Sequence, residues 1–186
     1  MNVPASVGGR ERLRLFCALR LPADAVEELS RWQSEVFSGA GGLRVLGREQ
    51  LHVTLAFLGS RPAGELEAIA DELRSAARAA ELATFTVKGY RETRSVGMLV
   101  LDDEDGRAGA LAVGLHERLE RLGVYRREAR AWLPHVTVLR FRRPPRLRPQ
   151  LPELRPFSPS GAAVYHSLLR PTGAQYEALE RVALGG

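Results

Sequence analysis

Two short motifs of this sequence repeat the same residue types at the same spacing. Each places a histidine and a threonine one residue apart in a strand-like stretch, at His52 and Thr54 and again at His135 and Thr137. Side chains of a β-strand alternate between its two faces, so each histidine shares a face with its threonine while the valine between them can face a core. Each motif therefore offers an imidazole and a hydroxyl on one surface.

Two imidazoles and two hydroxyls on facing strands meet the needs of phosphodiester hydrolysis without a metal. A neutral imidazole can take a proton from the attacking water, and an imidazolium can protonate the leaving oxygen. An ordinary histidine titrates near pH ~6.5, so both forms are accessible near neutrality. The hydroxyls of Thr54 and Thr137 can donate hydrogen bonds to the phosphate oxygens, where charge must be stabilised. A chance pair of half-buried structural histidines stays open as the alternative.

Other kinds of catalytic site are not indicated. Each motif has one histidine and no nearby carboxylate, whereas zinc sites combine several histidine, cysteine or carboxylate ligands. The sequence has no Gly-x-Ser-x-Gly turn for a nucleophilic serine and no Gly-x-x-x-x-Gly-Lys-Ser/Thr loop for a nucleotide triphosphate. The acidic cluster at 102–106 could attract a cation, but a solvated turn is the favoured interpretation. We therefore expect neither a metal nor a cofactor.

The elements that carry the motifs are placed by hydrophobic patterning. Helices are predicted over 25–37, 64–80 and 108–122, where apolar residues recur at helical spacing. The order of strands and helices is typical of an α+β fold with a mostly antiparallel sheet. Strands are predicted over 12–21, 43–46, 50–58, 85–91, 96–101, 135–141, 162–169 and 176–184.

Composition narrows the class of protein. The chain has 186 residues, of which 45% are hydrophobic, and this suits one domain or two small lobes around a shared core. The net charge is +5 and almost all of the positive charge is arginine, since Lys88 is the only lysine. Arginine suits phosphate groups, although a general compositional bias explains the excess equally well. The single cysteine, Cys17, lies in an apolar run and is interpreted as a core thiol.

The paired motifs and their surroundings make the sequence resemble the 2H phosphoesterase superfamily. Within it, the resemblance is strongest to the RNA 2′,3′-cyclic phosphodiesterases, once called 2′-5′ RNA ligases. It covers nearly the whole chain, and the motifs are specific when found together and in order. The segments that carry the resemblance are 14–22, 51–59, 134–140, 165–167 and 173–176.

The resemblance implies a bilobal α+β fold with two mostly antiparallel sheets and flanking helices. Pseudo-two-fold symmetry would relate the two lobes around a central cleft. Residues 11–186 would form this single bilobal domain after a flexible tail of residues 1–10. No secretory signal or membrane-spanning run is indicated, so we expect a soluble, cytoplasmic monomer that binds no membrane.

The resemblance also implies a reaction and a role for each site residue. RNA 2′,3′-cyclic phosphate ends would be hydrolysed to 2′-phosphomonoesters, with His52 as proton donor and His135 as proton acceptor. Thr54, Thr137 and Arg140 would bind the phosphate. The expected partner is an RNA or oligonucleotide with such an end. Ligation by 2′-5′ RNA ligase activity at the same site and a non-catalytic RNA- or nucleotide-binding module are the alternatives.

Some residues keep more than one interpretation. Strict alternation would put Arg140 on the strand face opposite His135, although a twist, a bulge or the strand end could return it to the cleft. His116 is expected at a surface or boundary, so its replacement should leave activity intact. His166 is expected to be structural. Three aromatic residues could either stack on a nucleobase or pack in the core: Phe16, Trp132 and Tyr165.

Overall fold

The structure is a computed structural model that describes residues 11–39, 41–171 and 173–185. The tail expected at residues 1–10 lies outside the described residues. Within them, the chain forms three α-helices, α1 (Ala23–Phe37), α2 (Leu66–Ala79) and α3 (Arg107–Arg121). The strands are β1 (Arg12–Arg20), β2 (Leu43–Val45), β3 (His52–Pro62), β4 (Phe85–Glu92), β5 (Val96–Asp103), β6 (His135–Phe141), β7 (Gly161–Arg170) and β8 (Gly173–Val182).

The strands pair antiparallel in the order β4-β5-β6-β3-β1-β7-β8, and the short β2 also pairs with β6. The two motif strands, β3 and β6, are neighbours in the middle of this order, yet they share one residue pair, Val53 with Val136. The sheet therefore consists of two halves that meet at this pair. The α+β prediction is confirmed, and the two expected sheets are the two halves of one continuous sheet.

An internal repeat relates the two halves. The pairs β1 and β5, α1 and α3, and β3 and β6 each begin 83 or 84 positions apart in the chain. The motif histidines, His52 and His135, follow the same spacing. This repeat of strand, helix and motif strand is the sequence counterpart of the expected pseudo-two-fold symmetry.

The helices pack their apolar stripes on the sheet and on one another. Helix α2 contacts α3 and β7, α3 contacts β3, and α1 contacts β2. Strand β1 runs through the core, where Leu15, Cys17 and Leu19 are fully buried. Burial raises the pKa of the Cys17 thiol to about 12, which keeps it protonated. In the part of the chain that the structure describes, no helix is long and apolar enough to cross a membrane.

Strand β3 departs most from its predicted bounds. The sequence predicts its end at Leu58, before Gly59, but it continues to Pro62 because it pairs with the whole of β1, as far as Arg12. Gly59 accommodates an irregularity inside the strand, with a φ of 71° that favours glycine. The predicted turn at 102–106 follows β5, where Asp103 accepts hydrogen bonds from the first backbone N–H groups of α3.

Candidate active site

The two motifs lie side by side where the halves of the sheet meet. Because Val53 pairs with Val136 in antiparallel register, one step along each strand brings His52 next to Thr137 and Thr54 next to His135. The valines point into the core and are fully buried, whereas the four motif side chains are half-buried on the other face. Alternation thus places both imidazoles and both hydroxyls on one surface.

A bulge in β6 decides where Arg140 points. Thr137 pairs with Met98 and Leu139 pairs with Gly97, so Val138 is an extra residue in β6. An extra residue reverses the alternation beyond it. Val138 and Leu139 are both buried, and Arg140 is exposed on the side of the motif residues. The bulge therefore returns Arg140 to the cleft, against strict alternation.

Strand β3 carries the same bulge at the same place. Cys17 pairs with Ala56 and Ala18 pairs with Thr54, so Leu55 is the extra residue, three positions after its histidine like Val138. The burial sequence from His52 onward is the same as that from His135 onward. Phe57 consequently occupies the position that Arg140 holds in the other motif.

A cavity of about 290 Å³ opens on this shared surface. His52, Thr54, Thr137 and Arg140 line it, and no carboxylate is among its lining residues in the described part of the chain. His135 does not line the cavity itself, but it is close enough for its charge to lower the pKa of His52. The other lining residues are Arg14, Phe16, Arg44, Leu46, Phe57, Ser167, Leu169, Ala174 and Tyr176.

Aromatic rings enclose His52. Its ring centroid lies 5.0 Å from that of Phe16, 5.3 Å from that of Tyr176 and 6.0 Å from that of Tyr165. Burial is the main cause that lowers the pKa of His52, to about 4, and the charges of His135 and Arg140 lower it further. A hydrogen bond to the backbone of Gln50 acts in the opposite direction. In this environment His52 is therefore neutral at neutral pH.

His135 has a different environment. Its Nδ1 lies 2.9 Å from the backbone carbonyl oxygen of Leu133, which can only accept a hydrogen bond. Nδ1 must therefore carry the proton, and in the neutral imidazole Nε2 is left with a free lone pair. This tautomer prepares Nε2 to accept a proton.

Three arginines face the cavity: Arg14, Arg44 and Arg140. None of them forms an ion pair with any residue that the structure describes. The Arg44 guanidinium lies directly against Gly173, whose φ is 120°, and any Cβ there would overlap it. Arg14 and Arg44 were not foreseen as site residues, because strand pairing and not the motif pattern brings β1 and β2 to the cavity.

The exposed aromatic residue of the site was also missed. Phe57 is 50% exposed, and the guanidinium carbon of Arg14 lies 4.8 Å from its ring centroid. Phe16 and Tyr165, which were considered as base-stacking residues, instead stack on each other at 5.0 Å. Trp132, the third candidate, donates from Nε1 to the backbone carbonyl of Thr54 at 2.9 Å.

The remaining histidines behave differently from each other. The expectation that His116 lies at a surface or boundary is wrong: it is 5% exposed, and its Nε2 lies 2.7 Å from the backbone carbonyl of Leu55. A polar side chain can be buried on the apolar face of α3 because that carbonyl satisfies it. His166 is half-buried and does not line the cavity. Among the described residues, no group of His, Cys, Asp and Glu is arranged to hold a metal ion.

Fold and site together define a class of protein, an antiparallel α+β protein with two His-x-Thr strands at a central cationic cavity. Comparison with known proteins identifies the family. The family described as LigT like Phosphoesterase matches residues 19–95. An RNA 2′,3′-cyclic phosphodiesterase of Thermus thermophilus is 32% identical over 186 aligned positions, covering 94% of this chain and 91% of that protein. The chain belongs to the LigT-like phosphoesterase family.

Solved structures agree with this assignment. A crystal structure of a Thermus thermophilus protein has a TM-score of 0.80 and 30% sequence identity, with 94% of this chain and 99% of that chain covered. The crystal structure of Escherichia coli LigT complexed with 3′-AMP has a TM-score of 0.72 and 27% identity, with 94% and 98% covered.

Proposed function

We propose that this protein hydrolyses the 2′,3′-cyclic phosphate end of an RNA to a 2′-phosphomonoester. The observation that carries this proposal is the pairing of β3 with β6, which brings two histidines and two threonines to one surface, beside a cavity lined by arginines. Such a cavity suits an anionic phosphodiester, since its lining is cationic and, among the described residues, includes no carboxylate. Two relatives support the substrate class: one is named RNA 2′,3′-cyclic phosphodiesterase, and another was crystallised with 3′-AMP.

The proposed reaction is a displacement at phosphorus. Water attacks the phosphorus atom while Nε2 of His135 takes its proton. The bond between phosphorus and the 3′ oxygen breaks, and His52 donates a proton to that oxygen. The products are a 2′-phosphomonoester and a free 3′ hydroxyl. His135 ends with one proton more and His52 with one proton fewer, so proton exchange with solvent restores both histidines.

The protonation of His52 is coupled to the substrate in this proposal. A pKa of about 4 leaves His52 neutral at neutral pH, so it lacks the imidazolium proton that a general acid donates. A bound phosphodiester brings a negative charge to the cavity, and an opposite charge nearby favours the imidazolium. Binding would therefore raise the pKa of His52 and prepare the acid when the substrate is present.

The other polar groups of the cavity would hold the phosphate. Thr54 and Thr137 share the face of the histidines, so their hydroxyls can donate to the non-bridging oxygens as charge develops. Arg140 reaches the same cavity through the bulge in β6, and its guanidinium can bind a phosphate oxygen pair. Arg44 adds a second cation from the neighbouring strand, since it pairs with Arg140 in register.

The nucleoside would lie against Phe57. This ring is half exposed at the cavity, and aromatic side chains of this kind stack on unpaired bases of single-stranded RNA. Arg14 holds the ring through a cation–π contact and adds charge for the preceding phosphate of the chain. In this proposal Phe57 stacks on the nucleobase, the role for which Phe16, Trp132 and Tyr165 were considered.

A turnover assay tests the proposal. The purified protein is incubated with 2′,3′-cyclic AMP and an excess of chelator, and the product is identified by chromatography against 2′-AMP and 3′-AMP standards. We expect chelator-resistant turnover to 2′-AMP. Absence of turnover from folded protein, or release of 3′-AMP, would contradict the proposed reaction. Binding without turnover would instead favour a non-catalytic nucleotide-binding module.

The same residues can also serve the reverse reaction, so ligase activity needs its own measurement. Incubating RNA ends that carry a 2′,3′-cyclic phosphate with RNA ends that carry a 5′ hydroxyl would reveal 2′-5′ linkages if ligation prevails. We also propose that the protein acts as a cytoplasmic monomer. Light scattering tests the oligomeric state, and cell fractionation tests the location.

A further inference from the structure

Two buried polar side chains occupy equivalent places in the repeat. Gln33 is 2% exposed on the apolar stripe of α1, and His116 is 5% exposed on that of α3. They lie 83 positions apart, the same spacing as the motif histidines, and each precedes its own motif histidine by 19 positions. The repeat therefore places a hydrogen-bonding side chain at the same point of both halves, where an apolar residue would ordinarily lie.

Each of these side chains bonds to the motif strand of the other half. Nε2 of His116 lies 2.7 Å from the carbonyl oxygen of Leu55. Nε2 of Gln33 donates to the carbonyl oxygen of Val138 at 2.9 Å, and also to that of Leu46 at 3.2 Å. The two contacts are crossed, because Gln33 precedes the first motif and contacts the second, while His116 precedes the second and contacts the first.

The two acceptors are the bulge residues of the motif strands. Leu55 is the extra residue of β3, and Val138 is the extra residue of β6. A bulge interrupts the ladder of backbone hydrogen bonds, and a buried carbonyl without a donor destabilises the conformation that buries it. The carbonyl of Val138 also accepts the backbone N–H of Leu46 at 3.0 Å, so Gln33 is its second donor and links α1 to the bulge. A side-chain donor at a bulge carbonyl stabilises the bulged strand over a regular one.

The bulges decide which residues reach the cavity. Beyond Val138 the reversed alternation directs Arg140 into it, and beyond Leu55 it directs Phe57 there. A strand that lost its bulge would turn these side chains to the opposite face, as strict alternation requires. The donor on the helix and the side chain in the cavity are thus linked through a single carbonyl in each half.

We propose that Gln33 and His116 are equivalent positioning residues, Gln33 holding Arg140 in the cavity and His116 holding Phe57 there. Their effect on turnover rests on the proposed function. The inference replaces the expectation that a change at His116 leaves activity intact. Removal of Gln33 should weaken phosphate binding, and removal of His116 should weaken binding of the nucleoside.

The test removes each donor with little change of shape. Gln33→Met keeps an unbranched side chain, and His116→Phe keeps a ring against Tyr125, whose centroid lies 4.8 Å from that of His116. Each change is combined with Arg140→Ala or Phe57→Ala, and kcat and KM are measured with 2′,3′-cyclic AMP. Residues that act through one another give non-additive losses, whereas independent residues give additive ones.

We expect Gln33→Met to lower kcat/KM about tenfold alone and less than about twofold when Arg140 is already alanine. His116→Phe should mainly raise KM, and it should add nothing to Phe57→Ala. Additive losses within both pairs, or unchanged kinetics in both single variants, would overturn the inference. A role confined to stability would lower the thermal midpoint without this coupling.

Conservative variants and a control complete the test. His116→Gln and Gln33→His keep an N–H donor at each position, so each should restore most of the lost kcat/KM. His166→Phe removes a half-buried histidine outside the cavity and should leave kinetics unchanged. If the wild-type protein shows no turnover, the proposed function fails by itself. Crystal structures of Gln33→Met and His116→Phe then decide, since an Arg140 and a Phe57 still in the cavity would overturn the positioning role.

Discussion

The two motif strands have the same backbone and different surroundings. Strands β3 and β6 share the burial sequence, the bulge and the crossed donor from a helix. Yet His52 is enclosed by aromatic rings that lower its pKa, whereas the Nδ1 of His135 is held by a backbone carbonyl. The repeat supplies equivalent positions, and the neighbours of each position determine its chemistry.

The difference extends to the fifth residue after each histidine. The first motif has Phe57 there and the second has Arg140, so one motif contributes an aromatic ring to the cavity and the other a guanidinium. A substrate with an aromatic base and a phosphate offers a matching group to each of these two side chains. A symmetric backbone thereby supports an asymmetric site, which a reaction with distinct acid and base requires.

The largest effect should follow from the loss of either histidine. His52→Ala and His135→Ala should each lower kcat/KM for 2′,3′-cyclic AMP by about 10²- to 10⁴-fold, because a positioned proton-transfer group contributes this much. Steady-state kinetics measures the loss, and His166→Ala serves as the control for removal of a histidine. Activity within about threefold of wild type in either variant would contradict the two-histidine mechanism.

A substrate with a better leaving group sharpens the same comparison. A p-nitrophenyl phosphodiester releases an anion that needs no proton, so it should restore much of the activity of His52→Ala and little of that of His135→Ala. The opposite pattern would exchange the acid and base roles.

The next largest effects should distinguish the roles of Arg140 and Phe57. Arg140→Ala should lower kcat/KM about 10- to 100-fold, since a hydrogen bond to a charged group contributes about 1.5–3 kcal/mol. Phe57→Ala should raise KM for 2′,3′-cyclic AMP by a similar factor with little change in kcat, since stacking contributes about 1–3 kcal/mol per base.

Ribose 2′,3′-cyclic phosphate, which has no base, is the matched control substrate for both variants. Arg140→Ala should impair its hydrolysis, and Phe57→Ala should not. Equal losses with and without the base in the Phe57 variant would exclude the stacking role.

The smallest effect concerns pH. The productive site has one imidazolium and one neutral imidazole, so the acid limb of a rate profile marks the protonation of the second imidazole. Burial lowers the pKa of His52 in the free enzyme, so the second proton is taken up, and kcat/KM declines on the acid side, only near pH 4. The profile of kcat reports the complex, in which the phosphate charge raises this pKa, so its acid limb should lie at higher pH. Rate profiles with circular dichroism at each pH measure both limbs, and coincident limbs near pH ~6.5 would contradict the enclosed His52.

Much of the fold followed from periodicity. The leucines of α3 recur at helical spacing, and the alternation within each motif puts a histidine and a threonine on one face, where the structure places them. These patterns are local, so they can be recognised without knowing which elements are neighbours. The repeat spacing of the motifs was visible for the same reason.

The bulges were harder to predict because alternation was assumed to continue. Both strands contain two consecutive apolar residues after the threonine, Leu55 with Ala56 and Val138 with Leu139, and this is the signal of an extra residue. The same spacing of 83 positions would also have paired His116 with Gln33. Arg14 and Arg44 carry no such signal, because only the pairing of distant strands brings them to the cavity.

The deep burial of Cys17 has a practical consequence for spectroscopy. It is the only cysteine of the chain, and its raised pKa and lack of exposure make its thiolate inaccessible to labelling reagents. A cysteine introduced at the rim of the cavity, for example at Leu169, which is 72% exposed, would react alone. A single substitution therefore allows one fluorophore or spin label to be attached beside the cavity without replacement of Cys17.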